Sequence, residues 1–144
     1  MTEQKSVFVR RYFLITICAA LLLCAFVLLR WQSDKRIDTA DERIDYLASL
    51  GWNCDAASEQ YREIQLPDEF AGIMADYNEL QKRNGFDLTR CAGEKCSQYT
   101  YSLTEHAGSL TVYAVIYVYR GRVIGGDIHT AAIDGYMHGL REIR

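Results

Sequence analysis

Proline is nearly missing from this chain: Pro67 is the one example in 144 residues. That scarcity, with no internal repeat and no low-complexity tract, excludes proline-rich spacers, collagen-like segments and extended disordered linkers. Histidine is also scarce, with only His106, His129 and His138. There is no glycine-rich phosphate cradle, no serine nucleophile elbow and no Cys–His catalytic signature, so the common recognisable enzyme motifs are missing. Cysteines number five, and the Cys91-x₄-Cys96 spacing lacks the second ligand pair that a zinc site needs.

What is present is one long uncharged run, Tyr12 to Leu29, in which eleven residues are Leu, Ile, Val or Phe. As a helix it would measure about 27 Å, close to a bilayer core. Arg10, Arg11 and Arg30 bracket it, and Trp31 stands where an interfacial aromatic belongs. A buried globular helix would show a polar stripe, and none exists here. A cleaved signal peptide would show a small-x-small site after the run, and a lipoprotein a small residue before its cysteine; Cys18 follows Ile17 and Cys24 follows Leu23. The expectation is an uncleaved single-pass anchor at about 12–30. Basic residues flank it on both sides, so the positive-inside count leaves orientation open. The short tail and signal-like layout favour a cytoplasmic N-terminus and an extracytoplasmic bulk.

Charge divides the chain. Residues 1–36 hold six Lys/Arg and two Asp/Glu, and residues 37–144 hold ten and seventeen, giving +4 and −7. The acidic part repels nucleic acid and anionic lipid headgroups. The expected organisation is a tail, anchor and juxtamembrane linker in 1–36, followed by one domain in 37–144, long enough for its own core. Cys18 and Cys24 fall in the run. The other three, Cys54, Cys91 and Cys96, allow one internal disulfide at most, and Cys91 with Cys96 is the candidate pair beside two unbonded thiols.

Within the domain, Thr39-Ala-Asp-Glu42 reads as a capping box opening a helix over 39–50 that Gly51 stops. Tyr61–Leu66 alternates weakly, as an edge strand does. Pro67-Asp-Glu69 opens a second helix to 83, with Phe70, Ile73, Met74, Tyr77 and Leu80 as its apolar stripe and Asn84-Gly85 as its stop. Cys96–Leu103 alternates as a strand. Leu110–Tyr119, the turn Arg120-Gly121 and Arg122–Ile128 read as a hairpin in which Val118 faces Val123 and Ile116 faces Gly125. One hairpin face is aliphatic and takes the helices; the other carries Tyr113, Tyr117 and Tyr119 toward solvent. The fold class expected is α+β: a transmembrane helix, then two helices packed on one face of an antiparallel sheet.

In order along the chain stand Arg43-Ile-Asp-Tyr-Leu-Ala-Ser-Leu-Gly-Trp52, Leu66-Pro-Asp-Glu-Phe70, Tyr77-Asn-Glu-Leu-Gln-Lys-Arg-Asn-Gly-Phe-Asp-Leu88, Tyr99-Thr-Tyr101, Val118-Tyr-Arg-Gly-Arg-Val-Ile-Gly-Gly-Asp127 and Asp134-Gly-Tyr-Met-His-Gly-Leu140. In these segments the chain resembles the membrane-anchored Gram-positive proteins that carry the domain of unknown function 4830. The resemblance implies one anchor and one extracytoplasmic domain, and no assigned activity. Ile128-His129-Thr130 departs from the small residue or cysteine that the family often has there, and the Cys91/Cys96 pair is peculiar to this chain.

Two functional classes follow. A binding module would use the tyrosine face, Tyr113, Tyr117 and Tyr119, to hold an envelope protein or glycan. An enzyme would gather Asp127, His129, Asp134 and His138 into an acid–base or metal site. The plainer expectation is that 125–127 and 134–140 form a structural clasp, with Asp127 and Asp134 capping local amides. Binding or an envelope-structural role is favoured over catalysis, with the bilayer met through the anchor, no nucleic-acid partner and no cofactor.

Overall fold

The computed structural model describes residues 17–23, 36–104, 111–132 and 135–142. Two units separate, Met1–Lys35 and Arg36–Arg144. In the first, residues 17–23 are helical and exposed. Among the described residues no helix is long and apolar enough to cross a membrane. The expected spanning helix is therefore not part of the fold observed. The rest of the 12–30 run, with Arg30 and Trp31, lies outside the described residues.

In the second unit, helix α1 covers Ala40–Ser49, and its capping box is formed as the sequence indicates. Gly51 takes φ +90°, and the amide of Trp52 closes back on Leu47 O at 3.0 Å, so the helix stops there. Five strands follow in sheet order β1-β2-β3-β4-β5, each antiparallel to its neighbour: β1 Gln60–Gln65, β2 Lys95–Ser102, β3 Val112–Tyr119, β4 Arg122–Thr130 and β5 Met137–Gly139. The Arg120-Gly121 turn has positive φ at both residues, 51° and 75°, as the tight hairpin requires.

Helix α2 departs from expectation. It covers Ile73–Arg83 rather than starting at Pro67. Leu66 N bonds Glu94 O and Gly93 N bonds Pro67 O, so residues 66–67 prolong the β1–β2 ladder and cannot turn helical. The expected apolar stripe is also rotated: Ile73 is 87% exposed, while Asn78 and Gln81 are the buried residues.

The helices lie on opposite faces of the sheet, which corrects the expected arrangement of both on one face. α1 sends Leu47 into the larger cluster with Tyr101, Val112, Ala114, Ile116, Val118, Ile128 and Leu140. α2 lies on the tyrosine face, where Tyr77, Tyr117, Tyr119 and Ile124 pack against Leu66, Leu88, Cys91 and Cys96. The sheet forms the middle layer, and much of the face expected to meet solvent is covered.

Polar groups attach each helix. Arg43 of α1 is buried, bonds Glu59 through Nη2 at 2.9 Å, and donates from Nε to Tyr101 Oη at 3.0 Å. Tyr101 Oη in turn donates to Glu59. Burial pushes the Glu59 carboxyl up, but bonds from Tyr101 and Arg43 outweigh it and hold the pKa below its ordinary value. On the other face, Gln81 Nε2 donates to Gly126 O at 3.1 Å and Gln81 Oε1 accepts from Gly126 N at 2.9 Å. The β4–β5 ladder reaches only to Asp127, so this side-chain amide serves Gly126 where a neighbouring strand would have done so. Gly126 has room for no side chain, because a Cβ would run into Val115 O and Leu140.

Two outcomes are expected. Gln81→Leu strands two buried backbone groups and should cost about 2–5 kcal/mol in urea unfolding, where an unchanged midpoint would refute the pairing. A depressed Glu59 pKa contributes stability that is present above the ordinary carboxylate range and lost as pH falls through the folded value. The acid limb of stability against pH should therefore flatten in Glu59→Gln, and an unaltered limb would count against the Arg43–Glu59–Tyr101 network.

Candidate functional site

The site begins with a register shift. Tyr119 pairs with Arg122 and Val118 with Val123, as expected, but Tyr117 pairs with Gly125, which leaves Ile124 as an extra residue in β4. Ile116 thus faces Gly126 rather than Gly125. Because side chains alternate with a period of two, the bulge moves every later β4 residue to the other face. Asp127 and His129 then pair with Val115 and Tyr113 and lie on the tyrosine face under α2. β4 also runs on through the two glycines to Thr130, so Gly125-Gly126 do not end it.

On that face Asp127 is 2% exposed. One carboxylate oxygen accepts from Tyr77 Oη at 2.5 Å, and the other lies 2.7 Å from His129 Nδ1. A carboxylate only accepts, so Nδ1 carries the proton and the ring nitrogen left over is Nε2. Burial pushes the Tyr77 phenol far above its usual range, and the Asp127 charge adds to this, so Tyr77 stays a donor. The hydrogen bond to Asp127 raises the His129 pKa, opposed by partial burial. The imidazole is 29% exposed and stands 5.8 Å, centroid to centroid, from the Tyr113 ring. Met137 is its partner across the β4–β5 ladder and is 53% exposed.

The other expected site residues go elsewhere. His138 pairs with Ile128 and so faces the opposite side, where it packs 5.5 Å from the Trp52 ring and stacks at 5.5 Å on Tyr136. It does not join Asp127 and His129. Asp134, like His106, lies outside the described residues. Tyr117 is half-buried, edge-on to Tyr77 at 6.3 Å, and Tyr119 packs into the same cluster, so neither offers the open stacking surface expected. Asp127 bonds side chains rather than capping local amides. Of the expected clasp, Leu140 is buried, with Trp52 Nε1 donating to Leu140 O at 2.8 Å and Asn84 Oδ1 accepting from Arg141 N at 2.9 Å, whereas Tyr136 and Met137 are exposed. Cys91 and Cys96 are buried as free thiols rather than bonded to one another, and burial pushes the Cys96 thiol up to about 11.

Sequence reasoning missed Tyr77 and Met137 as site members. Tyr77 sat in an apparent core stripe, and its spacing of four from the buried Gln81 was the available signal. Met137 is exposed on the edge strand β5.

A two-layered helix arrangement around a meander sheet, with a carboxylate holding one imidazole at its open end, defines a small α+β domain. The chain matches the domain of unknown function DUF4830 over residues 46–128, more than half its length, and belongs to that family. The match takes in Tyr77, Tyr113 and Asp127 and stops one residue before His129. No curated protein and no solved structure matches the chain.

Replacing Asp127 by Asn keeps the shape and removes the charge that favours the imidazolium. The His129 pKa, followed by NMR titration, should fall; an unchanged value would refute the coupling.

Proposed function

We propose that the domain is a binding or structural module of the cell envelope, standing outside the cytoplasm. Its binding surface is the open end of the tyrosine face, formed by Tyr113, His129 and Met137. The Asp127–His129 pair carries this reading. A buried carboxylate holds one half-exposed ring in a single tautomer and orientation, and Tyr77 occupies its other oxygen. Burying that charge costs desolvation, and the benefit falls on a surface group rather than on the core. Supporting the address are the basic tail and the uncharged run at 12–29. An envelope enzyme using Asp127 with His129 and His138 has less support, because His138 lies across the sheet from His129.

Two measurements test the proposal. The chain has three methionines, Met1, Met74 and Met137, so methyl labelling of the full chain gives a resolved probe of the surface. Cell-wall fragments should shift the Met137 signal, and Tyr113→Ala should abolish the shift. Fragments that move only Met1 or Met74, or none, overturn the surface. Phosphatase fused after Arg144 should be active, and an inactive fusion beside a fluorescent counterpart overturns the address.

A further inference from the structure

Met137 has a thioether where a core side chain would not be, open to solvent on the edge strand. Direct partners across an antiparallel ladder send their side chains to one face with Cβ atoms about 4.5–5.5 Å apart. His129 and Met137 are such partners, so their side chains leave the sheet on the same face, and both reach solvent. Asp127 takes the Nδ1 proton, so a neutral His129 presents the Nε2 lone pair. A carboxylate behind an imidazole is the outer-shell arrangement that orients histidine ligands to metals and makes them more basic.

The donor types select the ion. Zinc, calcium and magnesium call for three or more nitrogen, thiolate or oxygen ligands, and no group of three His, Cys, Asp or Glu suited to a metal exists among the described residues. A thioether with an imidazole suits Cu(I), whose filled d shell accepts two-coordinate geometry. Seventeen acidic against ten basic residues in 37–144 give the domain a field that attracts cations. The Tyr113 ring beside His129 flanks the pair.

We infer that His129 Nε2 and Met137 Sδ form a two-ligand site for a soft monovalent cation, Cu(I), at the open end of the tyrosine face. The inference rests on reading this patch as the binding surface and names its ligand. The ion enters and leaves as Cu(I), and no electron is transferred. Thiols also bind Cu(I), and Cys18 is exposed while Cys91 and Cys96 are buried in their own cluster; copper taken by cysteine is told apart by a Met137 methyl that does not move.

The test uses the full chain, without oxygen, titrated with Cu(I) against a chromogenic Cu(I) chelator, with Ag(I) as a redox-inert substitute for NMR. One equivalent should bind and shift the Met137 methyl. Met137→Leu, which keeps the side-chain volume, should weaken retention about tenfold or more, and Asp127→Asn should weaken it by about 10–100-fold while Met137 remains. Thermal melts of both variants verify the fold. Copper held equally by Met137→Leu, copper lost on replacing Cys91 and Cys96 by Ser, or an unmoved Met137 methyl would each overturn the site. A Met137 signal that answers to wall fragments but not to Cu(I) or Ag(I) would overturn the ion and leave the binding surface standing.

Discussion

The two-way hydrogen bond between the Gln81 amide and the backbone of Gly126 is the constraint on which the domain depends. A buried N–H and C=O must find partners, and β5 is too short to supply them. Meeting that need with a helix side chain fixes how α2 sits on the sheet. The helix must come close, so Gly125 carries no side chain there; a Cβ on it would press on Gln81 and Leu88. Tyr77, one turn earlier, is thereby set over Asp127. The same helix face sends Asn78 to Leu88 N at 2.8 Å and Asn84 to Arg141 N at 2.9 Å. One polar stripe therefore ties a strand, the Leu88–Cys91 turn and the C-terminal segment to a single helix.

This polar stripe also explains where sequence reading succeeded and where it failed. The capping box at Thr39 and Glu42, the stop at Gly51, the edge strand, expected at 61–66 and found at 60–65, and the Arg120-Gly121 turn were legible, because each depends on local chemistry within a few residues. The buried side of α2 was not. Periodicity counts apolar residues, and here amides do the burying because their partners are backbone groups far along the chain. Ile73 was read as core for the same reason and is open. The helix start was misplaced because Pro67 carries a helix-opening pattern, whereas its carbonyl is already bound to Gly93 in the β1–β2 ladder.

The candidate site was half legible. Asp127 and His129 share a face at a spacing of two in any strand, so their pairing followed from the sequence. Which face they share did not. That depended on Ile124: Gly125-Gly126 is a pair that can mark a bulge, but it does not say which residue is extra. His138 was drawn into the same site by proximity in sequence, but it belongs to the other side of the sheet, where Trp52 and Tyr136 hold its ring. The site that emerges is a polar chain running inward from solvent, imidazole to carboxylate to phenol, with the imidazole beside the Tyr113 ring at its open end.

The extra residue at Ile124 acts as a parity bit for everything downstream. Pairing Ile124 regularly, with the chain length unchanged, would turn the rest of β4 over, placing Asp127 opposite Ala114 in the aliphatic cluster. Deleting the extra residue itself would straighten the strand and leave Asp127 opposite Val115. A relative one residue shorter in that stretch should therefore have a straight β4 and keep the acid–imidazole pair on the same face, whereas one that pairs every residue at this length should have it on the other.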